Sequence, residues 1–178
     1  RIINGQRGKV AIFKLDDKSG VMEATADENL INASRNTLKD DELIICMAKM
    51  QADRFSGGFR LKMEQIMDLG QARCRYGKFL RVAVNGHAPD IARIVKEFPA
   101  QREETEHGVL LKGLPVRLAL ERRNDSLGAR AELALGEQAK FFPSDAALAS
   151  WMAQADQGRA QIVYDEGQNI VAVRTVAM

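Results

Sequence analysis

Short β-prone segments that end at turn residues decide what the first part of this chain can fold into. The segment "KVAIFKL", Lys9 to Leu15, is apolar and β-prone, and "DDKSG" follows it directly. In that stretch Asp16 and Asp17 can accept hydrogen bonds from the following backbone, and Gly20 can adopt a positive φ. A second β-prone segment runs from Val21 to Ala26. The two segments and the turn between them predict a β-hairpin.

The pattern then changes to helical spacing and back to strands. Asp27 is predicted to cap a helix that runs to Thr37, with apolar residues at helical spacing. Strands are predicted over Leu43 to Gln51 and over Phe59 to Met67, with the loop "ADRFSGG" between them. The predicted order is therefore strand, strand, helix, strand, strand.

This order is typical of an OB-fold, a five-stranded barrel whose nucleic-acid face uses strands 2 and 3 and the loops that join strands 1 to 2 and 4 to 5. In this frame only residues 1–3 remain of the first strand. We therefore predict a β barrel, an OB-fold with a truncated first strand, over residues 1–78. Because the chain opens with Arg1 inside that predicted strand, we also expect it to be a piece of a longer protein.

The rest of the chain predicts a small α+β domain over residues 79–166, in which strands and helices alternate. A charged stretch within it, "AQREETEHG" at residues 100–108, has few apolar anchors and is expected to form a mobile loop. Residues 167–178 are assigned to a C-terminal tail, in which "NIVAVRTVAM" is β-prone.

Two further elements are predicted in this second domain. A short strand is expected at Lys140 to Phe142. Ser144 is expected to cap a helix that carries Trp151 into the core and ends at Gly158, because serine is a favoured N-cap and tryptophan is highly buried on average.

The charge balance excludes a strongly basic protein but leaves room for a basic patch. The chain of 178 residues carries 26 Lys and Arg against 24 Asp and Glu, a net charge of +2. Residues 1–80 hold 14 basic and 11 acidic side chains, whereas residues 81–178 hold 12 and 13. Nucleic-acid binding would therefore depend on local clustering of cations, which the first part favours.

The sequence shows no arrangement typical of an active site. It has neither common type of phosphate-binding glycine loop, no nucleophile elbow and only two histidines. Cys46 and Cys74 are not spaced as a metal pair. The adjacent Asp16 and Asp17 are interpreted as turn residues rather than as metal ligands. We predict no catalytic residue, no metal site and no cofactor in this chain.

The sequence also favours a compartment. Cys46 lies in the apolar run "LIICMAKM" and is interpreted as a core residue of a protein in the reducing cytoplasm. No apolar stretch approaches the roughly 20 residues needed to span a membrane, and no signal-peptide pattern opens the chain. We therefore expect a cytoplasmic protein.

Cations and one aromatic side chain near the predicted OB loops form the candidate nucleic-acid site. Alternation in the last strand predicts that Phe59, Leu61 and Met63 face the core and that the residues between them face outward. The cations would bind phosphates, and the aromatic ring of Phe55 would stack on a base. The candidate residues are Arg7, Lys9, Lys14, Arg54, Phe55, Arg60 and Lys62.

Two plainer interpretations of these residues stay open. Phe55 can instead tuck under its own loop as a plug, since aromatic side chains are often buried. The alternating charges of Arg60, Lys62 and Glu64 are also what a solvated strand face or a charge-protected edge strand contains.

Three stretches resemble a known family: "RGKVAIFKLDDKSGVMEAT", "DELIICMAKM" and "FSGGFRLKMEQIMDLGQAR". They are similar to the OB domain near the C-terminus of the alpha subunit of bacterial DNA polymerase III. The resemblance covers residues 1–80 with specific motifs, and residues 81–166 by position and element order. It implies a module that contacts single-stranded DNA, followed by a domain that binds the tau subunit of the clamp loader, with the sliding clamp as a further candidate partner.

The resemblance also implies what the parent protein does. It would be a DNA-directed DNA polymerase, a nucleotidyltransferase of the replisome that uses a divalent metal, Mg, elsewhere in its chain. The metal-binding aspartates of the polymerase palm are not found in this sequence, so we expect this stretch to bind and not to polymerise.

Two functions of other classes remain as alternatives. One is a protein-interaction scaffold whose barrel face meets only protein. The other is the tRNA-binding OB domain of an aminoacyl-tRNA synthetase, which predicts more aromatic residues on strands 2 and 3 than Phe13 alone, because RNA-binding sheets stack unpaired bases on aromatic rings.

Overall fold

The computed structural model of the protein describes residues 1–5, 8–53, 57–106, 108–123, 128–165 and 173–176. It consists mainly of β-strands with a few short helices. The chain divides into two compact units, one formed by Arg1–Leu69 together with Asn169–Met178 and the other by Gly70–Gln168. No helix of the described residues is long and apolar enough to cross a membrane.

The first unit contains strands on both sides of one short helix. Its elements are β1 (Ile2–Gly5), β2 (Gly8–Asp16), β3 (Val21–Asp27), α1 (Glu28–Ala33), β4 (Leu43–Ala52), β5 (Phe59–Met67) and a strand near the end of the chain, Val173–Val176. The predicted order of strand, strand, helix, strand, strand is confirmed for β2 to β5.

The turn between β2 and β3 has the geometry that its sequence predicts. The Asp17 carboxylate accepts hydrogen bonds from the backbone N–H of Ser19 at 2.9 Å and of Gly20 at 3.0 Å, and from the Ser19 hydroxyl at 2.7 Å. Asp16 accepts a bond from the backbone N–H of Lys18 at 2.7 Å. The two carboxylates therefore serve the turn.

Helix α1 begins where predicted and ends early. The Asp27 carboxylate caps it by accepting the N–H of Leu30 at 3.0 Å. The helix stops at Ala33, with Ser34 as its C-cap, and not at Thr37 as predicted. Serine, asparagine and threonine over residues 34–37 have low helix propensity, because their side chains compete for backbone hydrogen bonds.

The strands of the first unit pair in a mixed arrangement. β2 pairs antiparallel with β3, β4 pairs antiparallel with β5, and β3 pairs parallel with β5 through Ala24–Leu61 and Thr25–Lys62. β1 has four residues and pairs with the start of β2. A core lies under these strands, built from Ala11, Phe13, Leu15, Ala24, Ala26, Ile44, Met63 and Ile66.

The strand Val173–Val176 joins this sheet from the other end of the chain. It pairs antiparallel with β2 over residues 14–16 and with β4 at Ile44 and Leu43. The sequence assigns these residues to a C-terminal tail over residues 167–178. The segment is instead a strand of the first unit, placed between β2 and β4.

The second unit is built on a four-stranded sheet with helices. Its elements are α2 (Leu69–Tyr76), β6 (Gly77–Ala83), α3 (Ile91–Glu97), β7 (Gln101–Thr105), β8 (Gly108–Lys112), β9 (Val116–Arg123), β10 (Gly128–Ala134), α4 (Asp145–Gln154) and β11 (Ala160–Tyr164); Val173–Val176 is then β12. The sheet order is β10, β9, β6, β11, with β6 and β9 parallel.

The core of the second unit is centred on aromatic and aliphatic side chains of the sheet and of α4. Trp151 and Phe141 are fully buried, and their ring centroids lie 5.6 Å apart. The prediction that Trp151 belongs to the core is confirmed. Ser144 caps α4 as predicted, by accepting the N–H of Ala147 at 3.2 Å.

Two predictions for this unit are wrong. Residues 140–142 do not form a strand, because Phe141 makes only isolated bridges, with Pro99 and Leu114, while its side chain fills the core. Helix α4 ends at Gln154, four residues before Gly158, since Ala155 already has extended backbone angles.

The charged stretch at 100–108 was predicted to be a mobile loop, but over its described residues it forms part of a β-hairpin. β7 and β8 form an antiparallel two-stranded sheet, from Gln101–Lys112 to Thr105–Gly108. The apolar partners that the stretch lacks come from Val109, Leu110 and Leu111, which follow it in the chain.

The boundary between the units lies after Leu69, the first residue of α2, whereas the sequence places it after residue 78. Arg73 of α2 donates a hydrogen bond to the carbonyl of Pro143 at 2.9 Å and pairs with Asp145 at 2.7 Å. At Gly77 a Cβ would lie 2.5 Å from the carbonyl oxygen of Arg73 and 2.8 Å from Leu114. These close contacts tie α2 to the second unit.

Candidate nucleic-acid interface

One face of the sheet formed by β2, β3, β5 and β4 points away from the core, and we call it the outward face. Lys14 of β2 is exposed on it, opposite Glu23 of β3. Thr25, two residues after Glu23 in β3, pairs with Lys62 of β5. Because paired residues share a face of the sheet, Lys14 and Lys62 lie on the same side.

The outward face continues onto β4. Lys62 stands directly opposite Lys49, and Arg60 stands opposite Gln51. The Lys49 ammonium pairs with the Glu64 carboxylate, and both side chains remain largely in solvent. No ion pair of Lys14 or Lys62 is found within the described part of the chain. Glu23 and Glu64 lie among these cations, and Asp16 and Asp27 lie on the same side by strand alternation, so the face is mixed in charge.

Arg60 lies next to a carboxylate. Its guanidinium lies 3.9 Å from the carboxylate of Asp53, the residue that begins the β4–β5 turn. Asp53 also holds the turn itself, since its N–H donates to the carbonyl of Gly58 at 2.8 Å and its carbonyl accepts from Gly57 at 2.9 Å. Gly57 has a φ of +72°, a conformation that glycine adopts at no steric cost.

Lys9 does not belong to the outward face. By strand alternation it shares a side with the buried Ala11 and Phe13, opposite to that of Lys14. Its backbone N–H donates to the Glu28 carboxylate at 3.2 Å, and its side chain lines a cavity of about 470 Å³ beside α1. The grouping of Lys9 with Lys14 is therefore wrong: two residues an odd number of positions apart on one strand face opposite sides.

Three candidate residues, Arg7, Arg54 and Phe55, lie outside the described residues. Both interpretations of Phe55, stacking on a base or packing under its own loop, therefore stay open.

Phe59 lies on the predicted side of β5 but is exposed, which the sequence did not predict. It was expected to face the core with Leu61 and Met63. Met63 is only 2% exposed, whereas Phe59 is 66% exposed. The reason is that β4 and β5 extend beyond the covered part of the sheet: Phe59 stands opposite the small Ala52, and Met50 on the same side is 62% exposed.

The end of the β4–β5 hairpin therefore has two chemically different sides. One side carries Lys49, Arg60 and Lys62, and the other carries Met50 and Phe59. Sequence reasoning missed Lys49 and Phe59. The alternation in "CMAKMQA" could have identified Lys49 as an outward residue. Nothing in the sequence showed that other parts of the chain do not bury Phe59.

The groups on this surface can bind anions and stack on flat rings. Its side chains are ammonium and guanidinium groups, carboxylates, an aromatic ring and thioethers. Across the described ranges no group of three histidine, cysteine, aspartate or glutamate side chains is arranged to hold a metal ion. Hydrogen bonds from Ser19 hold the pKa of Asp17 below its usual value, which reflects the turn.

The chain is similar to the alpha subunits of DNA polymerase III from several bacteria. It is 30% identical over 149 residues to DNA polymerase III subunit alpha of Haemophilus influenzae, a match that covers 83% of this chain and 12% of that protein. It is 27% identical over 149 residues to that subunit of Vibrio cholerae, with the same shares.

A shorter match to the subunit of Neisseria meningitidis is 33% identical over 104 residues and covers 57% of this chain and 9% of that protein. No family model matches the chain. The resemblance identified from the sequence is therefore confirmed. The chain spans 12% of the length of the first two relatives.

Proposed function

Because the chain is similar to a segment of the alpha subunits of bacterial DNA polymerase III, we propose that it serves DNA replication and that its first unit is an OB-type module that binds single-stranded template DNA. The element order β2, β3, α1, β4, β5, with the helix between the two strand pairs, supports the OB assignment. The strand Val173–Val176 takes the place beside β2 and β4 that the short β1 does not reach.

The observation that carries the proposal is the two-sided end of the β4–β5 hairpin. A single strand of DNA offers phosphates on one side and unpaired bases on the other. Proteins that bind it without sequence preference combine cations that follow the backbone with aromatic rings that stack on bases. Lys62, Lys49 and Lys14 supply the first group, and the exposed ring of Phe59 supplies the second.

The number of contacts limits the strength of this binding. Stacking of one base on an aromatic ring contributes about 1 to 3 kcal/mol. One ring and a few lysines therefore give weak binding without strong sequence preference, and the phosphate contacts make it sensitive to salt.

Substitution of Phe59 and Lys62 tests this division of roles. Phe59→Ala is expected to weaken binding of a labelled single-stranded oligonucleotide about tenfold, within the range of one lost stacking contact, with an unchanged salt slope, because stacking releases no counterions. Lys62→Ala is expected to weaken binding and to reduce the slope of log K against log salt by about 0.7, the value for one phosphate contact on a single strand.

Leu43→Ala provides the control, because Leu43 is a part-exposed apolar residue at the start of β4, the end of that strand away from the β4–β5 turn. It should leave binding unchanged. Fluorescence anisotropy at several salt concentrations measures all three variants, and thermal melting confirms that each is folded. Equal binding by the wild type and the Phe59 and Lys62 variants would contradict the proposed interface.

The remaining parts of the proposal concern the parent protein. The second unit binds the tau subunit of the clamp loader, and the sliding clamp is a further candidate partner. The parent is a DNA-directed DNA polymerase of the cytoplasm, with Mg bound elsewhere in its chain. The similarity to polymerase alpha subunits supports these assignments.

The two alternative functions make different predictions for the same surface. A tRNA-binding domain needs aromatic rings on its strand face, but Phe13 of β2 is buried and faces the core. A scaffold that meets only protein predicts that the wild type does not bind DNA at low salt.

A further inference from the structure

The β7–β8 hairpin is the least covered sheet of the second unit. Among the described residues its two strands pair only with each other. Almost every residue of the hairpin is exposed, including Val109 at 63% and Leu110 at 51%. An isolated two-stranded sheet is marginally stable in water, so a further strand would stabilise it.

The two outer edges of this hairpin differ in charge. β7 carries Arg102, Glu103 and Glu104 in succession, and charged residues of this kind protect an edge strand from further pairing. β8 reads Gly, Val, Leu, Leu, Lys, and its only charged group, the ammonium of Lys112, pairs with Glu103 at 2.5 Å. β8 is therefore the unprotected edge.

We propose that β8 pairs antiparallel with β8 of a second copy of this chain, so that two hairpins form one four-stranded sheet. The sequence of β8 fits its own copy. With Leu110 at the two-fold axis, it faces Leu110 of the copy, and Val109 faces Leu111. Gly108 then faces Lys112, so that no two lysines are directly opposed, and the three central pairs match apolar with apolar groups.

The same geometry sets the size of the assembly. After pairing, the outer edges of the four-stranded sheet are the two charged β7 strands, which resist further addition. The association therefore stops at a dimer. Two five-residue strands bury less surface than the roughly 1,200 Å² of a standard interface, so the dimer is weak and depends on protein concentration.

Sedimentation velocity over a range of concentrations tests the pairing on the full chain. The wild type should shift from monomer to dimer as its concentration rises. Leu110→Lys and Leu110→Glu each place like charges opposite each other at the axis, and each should weaken dimerisation by at least about tenfold. An equal mixture of the two variants should restore the dimer, because lysine then faces glutamate.

Leu133→Lys provides the matched control. Leu133 is also a half-exposed leucine of the second unit, on the edge strand β10, and this variant should dimerise like the wild type. Circular dichroism confirms that every variant is folded, and the recovered dimer in the mixture requires two folded partners. A wild type that is monomeric at all concentrations, or a dimer that Leu110→Lys leaves intact, would overturn the proposal.

Discussion

At the scale of single residues, alternation predicts which side of a strand a residue occupies, but not whether that side is covered. Lys62 lies on the outward face as predicted, because the period of two is a property of the strand itself. Phe59 lies on the predicted side, yet it is exposed, because the residues that bury Met63 do not extend over the start of β5. Whether a side chain is buried depends on residues distant in sequence, so the local alternation does not predict it.

The Asp17 turn gives a prediction at this scale. Hydrogen bonds from the Ser19 side chain, then from the backbone N–H groups of Ser19 and Gly20, lower the pKa of Asp17 below its usual value of 3.8. A carboxyl with a lowered pKa in the folded state contributes stability that is present above its unfolded pKa and lost as pH falls through the folded value. Ser19→Ala should therefore raise the pKa of Asp17 toward its usual value.

Carbon NMR of the side-chain carboxyl, followed through an acid titration, measures this pKa in both proteins. Asp156 provides an internal reference, since its pKa is lowered by a hydrogen bond from Arg159, which the substitution does not involve. The same midpoint for Asp17 in both proteins would show that the Ser19 hydroxyl does not hold the carboxylate.

At the scale of elements, the sequence predicts the strands and their order better than their partners. The first strand pairs and helix α1 follow from local patterns of turns, caps and alternation. "NIVAVRTVAM" is β-prone, but its pattern does not reveal that Val173–Val176 pairs with β2 and β4 at the opposite end of the chain. The hairpin of β7 and β8 was missed because β7 is fully charged or polar and its apolar partner strand comes later.

Truncation of the chain after Gln168 tests the placement of β12. Loss of this strand removes the pairing of residues 14–16 and of Leu43 and Ile44, so hydrogen exchange at those amides should become faster and the first unit should melt at a lower temperature. Amides of Leu80 and Val82, in the core of the second unit, provide the internal control and should keep their protection. Unchanged exchange at residues 14–16 would be inconsistent with the pairing.

At the scale of the whole molecule, the sequence predicts two parts, and the structure divides into two compact units. What the units bind is harder to read from pattern, because a net charge of +2 hides both the lysines of the outward face and the carboxylates of the β7–β8 hairpin. The family resemblance adds the replicative context, and the exposed Phe59 adds a residue that neither pattern nor resemblance supplied.

Titration of a labelled single-stranded oligonucleotide with the full chain, at low and at moderate salt, tests the central claim most directly. We predict measurable binding at low salt, weaker binding as salt rises with a linear fall of log K against log salt, and a preference for the single strand over a duplex of the same sequence. Absence of binding at low salt, by protein that circular dichroism shows to be folded, would contradict the assignment of the first unit as a single-stranded-DNA-binding module.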